Sequence, residues 1–336
     1  MLLKIISLEI ELKKILFRCD SSSTIGLGHV KRCLVLAKRL KESNKDLKIF
    51  FSTLDLEGNI NLEILKSGFS IYSLKDNSVF SLDYIIKGLS IDFLVIDSYE
   101  IDITFETQLK LNNHNLKIMS FDDTLKLHNV DFILNHGIQT KKSAYKDLVP
   151  KTSKILCGSE YTLLRDEFFK KYKNKIEKNS VAIILGGNDV LNLSSKIAFY
   201  LLEISNKYKI SVITTAVNPH LKELKQNKEF ELLVDIDNIA EVLSCKEIVI
   251  TASGGTLFEV LFLKKKFINI EVASNQNVVS DFFEKKGIKT TIKAEKLCLK
   301  ELEKKIEYIN KKNVYNKLDL KFSKDKLVKK ILKDIK

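Results

Sequence analysis

The chain has 336 residues, 45% of them apolar and 29% charged, with a formal net charge of +13. That length exceeds one ordinary core and implies two domains, while no apolar run approaches the roughly 20 residues that a membrane-spanning helix needs, so no stable membrane insertion is expected. The basic excess does not imply nucleic acid: it is scattered lysine, with arginine only at Arg18, Arg32, Arg39 and Arg165, whereas base and phosphate recognition favours arginine forks.

The opening stretch MLLKIISLEIELKK breaks its apolar residues with Lys4, Glu9, Glu11, Lys13 and Lys14 and has no small-residue cleavage site. It reads as an N-terminal extension over residues 1–13, not as a secretion signal, and a cytoplasmic location follows. From residue 14 the runs KILFRC, LKIFFST, DFLVIDS, LKIMSFD and VDFILN alternate with amphipathic stretches such as VKRCLVLAKRLKES. Short apolar runs of this kind read as buried parallel strands, and alternation with helices implies an α/β, doubly wound sheet over residues 14–168. A charged segment, residues 169–179, reads as a linker. The pattern restarts over residues 180–292 with VAIILGGND, KISVITTA, EFELLVD, EIVITASGG and KFINIEV. Two Rossmann-like domains facing across a cleft are therefore expected, followed by a Lys/Glu-rich helical extension, residues 293–336, that carries no recognisable chemistry.

Three glycine-bearing turns follow strands. In STIGLGHVKR, Gly26 and Gly28 permit a tight turn and close approach by a ligand at a helix start. Free backbone N–H groups there favour an anion, and His29 is able to move protons at neutral pH; an ordinary turn with a capping or core His is the alternative. In the second half, LGGND offers Gly187 and Asn188. TASGGTLFE offers Ser253, Gly254, Gly255 and Thr256 at another helix start, as a pyrophosphate requires. Glu259, one turn further on, is placed to accept hydrogen bonds from ribose hydroxyls. No GxxxxGK[ST] or GxGxxG is present, which disfavours kinase and dehydrogenase chemistry.

Asp97 ends a strand and reads as a group that caps or orients a loop rather than one that catalyses. Asp122 and Asp123 either line the cleft or begin a turn, and Gln276 either faces a sugar or begins a helix. His114, His128, His136 and His220 show no metal spacing and read as surface or structural. The five cysteines, with no CxxC, read as small buried apolar residues of a reducing compartment, so neither a metal nor a cofactor is expected.

RCDSSSTIGLGHVKRCLVLAK, with its SSSxxGxGHxxR pattern, resembles the N-terminal signature of the UDP-sugar hydrolases of pseudaminic acid biosynthesis. The resemblance continues through VIDSY, SFDD, DFILN, LCGSEYTLLRDEF, LGGND and the Ser-Gly-Gly…Glu stretch, over roughly residues 14–290. It implies a GT-B fold, related to that of the peptidoglycan N-acetylglucosamine transferase. It also implies hydrolysis of UDP-2,4-diacetamido-2,4,6-trideoxy-β-L-altropyranose to free sugar and UDP. His29 matches the catalytic base and Tyr99 a sugar-side tyrosine. Arg32 matches the motif's last position, as a substrate contact or a structural ion pair. Asn188, Ser253, Gly254, Gly255, Thr256 and Glu259 fall where GT-B relatives hold UDP. Ser98 departs from the family's His, and SGGTLFE reads more like the transferase, so a GT-B glycosyltransferase and a non-catalytic nucleotide-sugar binder are the rival functions.

Overall fold

A computed structural model describes residues 13–273 and 276–335. The expected N-terminal extension thus lies outside the described residues except for Lys13. The first parallel sheet contains β1 (Lys14–Cys19), β2 (Lys48–Leu54), β3 (Ser70–Leu74), β4 (Phe93–Asp97), β5 (Lys117–Phe121), β6 (Phe132–Asn135) and β7 (Lys154–Cys157), in the order β3-β2-β1-β4-β5-β6-β7. The second contains β8 (Ser180–Ile184), β9 (Lys209–Thr214), β10 (Glu231–Val234), β11 (Ile248–Ala252), β12 (Lys266–Glu271) and β13 (Thr291–Lys293), in the order β10-β9-β8-β11-β12-β13. Every strand pair in both sheets is parallel.

Helices connect the strands: α1 (Gly28–Ser43), α2 (Asn61–Lys66), α3 (Val79–Leu89) and α4 (Ile103–Asn112) in the first half. The second half has α5 (Leu193–Ile204), α6 (Leu221–Gln226), α7 (Ile239–Cys245), α8 (Gly255–Phe262), α9 (Asn277–Lys285), α10 (Leu299–Lys311) and α11 (Lys326–Ile335). α1 shows why the sequence folds this way. Val30, Cys33, Leu34, Ala37 and Leu40 recur at helical spacing and are all buried against the sheet, each of the larger ones worth about 1.5–3 kcal/mol of burial. Beneath it, Phe17 of β1 and Phe51 of β2 stack with centroids 5.0 Å apart.

The crossing between the two units comes earlier than the charged segment. Tyr161 and Leu163 pack into the core of the first sheet, whereas Leu164 and Phe168 already belong to the core of the second. The C-terminal stretch then ties both together: α10 packs on α5 and β12, and α11 returns to lie on α1. Leu327, Val328 and Ile331 of α11 enter the first core, and Arg39 of α1 donates to Asp166 at 2.7 Å. Of the cysteines, Cys19, Cys33 and Cys157 are buried as expected; Cys298, which precedes α10, is exposed and Cys245 half-buried. No helix among the described residues is long and apolar enough to cross a membrane.

Strand order reverses direction between β1 and β4 in the first sheet and between β8 and β11 in the second. Ligands of open α/β sheets bind beyond the carboxyl ends of strands at such reversals. The three glycine turns stand after β1, β8 and β11.

Candidate active site

The turn between β1 and α1 is closed by Gly26 N–H donating to Ser22 O at 2.9 Å, and Gly26 has φ +85°, a left-handed conformation that favours glycine. α1 then begins at Gly28 with no side-chain cap and no acid in its first turn, so its first N–H groups are available to an anion. His29 follows at once and is buried.

His29 lies within a network drawn from four strand ends. Its Nδ1 stands 2.6 Å from Oδ1 of Asp97, the last residue of β4. Burial would raise the pKa of Asp97, but the charges of Arg32 and His29 outweigh it and hold the carboxyl well below the usual range. An ionised carboxylate only accepts, so Nδ1 is the donor of this pair, and in the neutral ring Nε2 keeps its lone pair. The Tyr99 ring meets His29 edge-on at 4.9 Å, and its hydroxyl donates to Asp123 Oδ2 at 3.0 Å.

Arg32 lies one helical turn beyond His29 and is committed inside this network. Its Nε donates to Asp97 Oδ2 and its Nη2 to Asp97 Oδ1, both at 2.5 Å. Its Nη1 donates to His136 Nε2 at 2.9 Å and lies 3.4 Å from Asp123 Oδ2. Of the two roles open to it in the sequence, the geometry displays the ion pair: each guanidinium nitrogen already has a protein acceptor.

His136, read as surface or structural, follows β6 and closes the network. Burial and then the Arg32 charge push its pKa down to about 3, so it is neutral and accepts from Arg32. Its ring also packs edge-on against Phe258 of α8, with centroids 5.8 Å apart, a direct contact between the two units. The signal for it is positional: Asp97, Asp123 and His136 stand at or just beyond the carboxyl ends of β4, β5 and β6, on the same sheet edge as His29.

Asp122 and Asp123 separate in function. Asp122 turns inward, accepting from the Thr124 N–H at 2.7 Å and the Tyr145 hydroxyl at 2.9 Å. Below it His128 is held between Glu106 Oε1, 2.8 Å from Nδ1, and Asp122 Oδ2, 3.7 Å from Nε2. Burial would lower the pKa of His128, but these two carboxylates raise it to about 9. A raised folded-state pKa stabilises fully below the ordinary value of about 6.5 and ceases to do so as pH rises through about 9. The melting temperature should therefore fall between pH 6.5 and 9.5 more steeply in the wild type than in His128→Gln. Parallel curves in a fluorimetric melt would show that His128 anchors nothing.

On the second unit, Gly186 takes φ +93° in the turn after β8. A Cβ on Gly187 would come within 3.1 Å of Leu27 Cδ1 and Thr215 Oγ1, so any side chain there would push on the α1 turn. Asn188 Nδ2 donates across to Ser23 O at 3.2 Å. α8 opens at Gly255 after Gly254, again without a side-chain cap or first-turn acid, and a Cβ at Gly28, Gly254 or Gly255 would meet nothing within 4 Å. The starts of α1 and α8 thus leave uncapped backbone N–H groups, the kind of donor a diphosphate requires.

Three of the residues expected at the ligand already have protein partners. Ser253 is buried, with its hydroxyl receiving Asn269 Nδ2 at 2.8 Å. Gln276 immediately precedes α9, and its Oε1 accepts the Val272 N–H at 2.9 Å. Glu259 is buried and gripped by Arg165, Nε to Oε1 at 2.8 Å and Nη2 to Oε2 at 2.6 Å. Oε1 also accepts the Arg165 backbone N–H at 3.5 Å, and Oε2 retains a second lone pair. Among the described residues no group of three or more His, Cys, Asp or Glu is arranged to hold a metal.

Two parallel Rossmann-like sheets define a GT-B enzyme fold, and the solved structures agree. MurG of Acinetobacter baumannii superposes with TM-score 0.62 at 12% identity, covering 96% of this chain and 99% of its own. The UDP-GlcNAc 2-epimerase of Neisseria meningitidis, solved bound to UDP-GlcNAc, gives TM-score 0.60 at 12% identity, with 96% and 99% covered. No protein-family model matches the chain. In sequence, the chain is 36% identical over 285 residues to the UDP-2,4-diacetamido-2,4,6-trideoxy-β-L-altropyranose hydrolase of Campylobacter jejuni, covering 83% of this chain and 99% of that protein. The chain belongs to this family of UDP-sugar hydrolases.

Proposed function

We propose that the protein hydrolyses UDP-2,4-diacetamido-2,4,6-trideoxy-β-L-altropyranose at the anomeric C–O bond, releasing the free sugar and UDP for pseudaminic acid biosynthesis in the cytoplasm. Family membership supports the substrate. The observation that carries the chemistry is His29, with Nδ1 held by a buried carboxylate and Nε2 left as the basic atom.

UDP is already a good leaving group, so the reaction needs charge stabilisation on the diphosphate and one base for water. Water attacks the anomeric carbon while His29 Nε2 takes its proton. The C–O bond breaks, and its electron pair leaves on the β-phosphate oxygen of UDP. The backbone N–H groups at the starts of α1 and α8 and in the Gly186–Gly187 turn donate hydrogen bonds to the charge that develops there. Water and leaving group stand on opposite faces, so the product is inverted at that carbon. Asn188, Thr256 and Glu259 are assigned to UDP, Tyr99 to the sugar.

Reaction in ¹⁸O-water should place the label in the anomeric hydroxyl and leave UDP unlabelled. Attack at phosphorus would put it in UDP; that path needs several Arg/Lys contacts or a metal on the phosphorus, whereas Arg32 and Arg165 are engaged by protein carboxylates. UDP must also appear when no acceptor is added. Release only with an acceptor would identify a glycosyltransferase instead.

A further inference from the structure

The network around His29 poses an electrostatic problem. A buried aspartate 2.6 Å from an imidazole stabilises the imidazolium relative to the neutral ring. An unopposed Asp97 anion favours the charged ring over the neutral one, which works against a base. The groups facing the ring from the packed elements are Asp97 and Tyr99 from the β4 end, Asp123 after β5, His136 after β6, and Arg32 and Cys33 on α1. Cys33 Sγ lies 3.6 Å from Asp97 Oδ2, as a weak donor to the same carboxylate. Only Arg32 brings a permanent positive charge. Its Nη2 lies 3.2 Å from His29 Nδ1 while both Nε and Nη2 hold Asp97.

We infer that Arg32 is a positioning residue that neutralises Asp97, so that Asp97 fixes the His29 tautomer without holding the ring protonated. The assignment deepens the proposed reaction and rests on His29 being its base. One carboxylate serves two cations of different permanence. Arg32 takes both oxygens of Asp97 and cancels its charge; His29 shares Oδ1 and receives its orientation. Neutral His136 fixes the far end of the guanidinium by accepting from Nη1 at 2.9 Å, adding no second positive charge. Arg32 thereby acts on catalysis through Asp97 and touches no substrate.

The test uses pH profiles of kcat/KM, with UDP affinity and melting temperature measured alongside. Arg32→Gln should move the acidic limb up by at least about one pH unit. Activity at pH 7 should drop roughly tenfold and largely return at pH 9, with UDP affinity within about threefold of the wild type. Arg32→Lys keeps the charge, and its limb should stay near the wild-type position. Asp97→Asn removes the anion and leaves Arg32 beside the ring, so the limb should move down, the opposite sign. An unmoved limb in Arg32→Gln, or loss of activity by the same factor at every pH, would overturn the inference; so would a loss of UDP affinity with the limb unmoved, which would make Arg32 a ligand contact. If Arg32→Gln does not fold, ¹⁵N NMR of His29 in the wild-type protein still decides. Neutral His29 should carry its proton on Nδ1 at pH 7; a proton on Nε2, or an imidazolium at pH 7, refutes the assignment. The spectrum needs no turnover, so it separates this failure from failure of the hydrolase reading, which loss-free His29 variants would reveal.

Discussion

Replacing His29 by asparagine should lower kcat by about 10²–10⁴-fold, the range for removing a general base, while UDP binding stays within about threefold. The argument is geometric. The expected UDP contacts come mainly from the turns after β8 and β11 in the second unit, whereas His29 is tied to Asp97 and Tyr99 in the first. Asparagine retains an amide able to donate to Asp97, so the network loses its basic nitrogen rather than its polar contact. Activity measured by UDP release, with affinity by calorimetry, separates the terms: a kcat loss without a change in UDP affinity is the mark of a group that acts in the transition state. A parallel loss of UDP affinity would make His29 a structural residue of the α1 turn. Near-normal kcat in a folded variant would remove it from the chemistry altogether.

Why His29 was legible while its partners were not follows from distance along the chain. The two glycines, the strand before them and the histidine lie within one short stretch, so local pattern suffices. Asp97 and His136 are 68 and 107 residues from His29 along the chain, and only the strand order brings β4 and β6 onto the same edge as β1. Asp97 was read as orienting a loop; it orients a side chain. The strands divide in the same way. The interior strands announce themselves as continuous apolar runs because both faces are covered. The strands absent from that reading, β3, β7 and β13, are all sheet edges; β3, for example, buries only Leu74 fully. The C-terminal extension likewise shows helical period without showing its destination, since the docking of α11 on α1 depends on a surface assembled nearly 300 residues earlier. Arg165 is the remaining omission. It follows Leu164 in a stretch without regular periodicity, and nothing local links it to Glu259.

That link changes what removing Glu259 should do. Sequence alone predicts a change confined to ligand affinity: Glu259→Ala should weaken UDP binding by about 1.5–3 kcal/mol, the loss of charge-assisted hydrogen bonds to ribose, or roughly 10–150-fold in Kd. The structure adds a second effect, because Glu259 holds both Nε and Nη2 of Arg165. Breaking a fully buried pair costs about 3–5 kcal/mol; the Arg165 side chain is 30% exposed, so about 1–3 kcal/mol of folding stability is the expected loss. The two effects are separable. Glu259→Gln keeps the shape and one acceptor, and should lose part of both. Arg165→Met removes the cation and leaves the carboxylate, so it should lower the melting temperature while retaining most of the UDP affinity. Calorimetric UDP titrations and thermal melts of the three variants then decide. If Glu259→Ala melts early yet binds UDP as the wild type does, the carboxylate exists for Arg165 and not for ribose. If Arg165→Met loses UDP as completely as Glu259→Ala, the pair acts as one unit in shaping the α8 turn, and a direct ribose contact is no longer needed to explain the affinity.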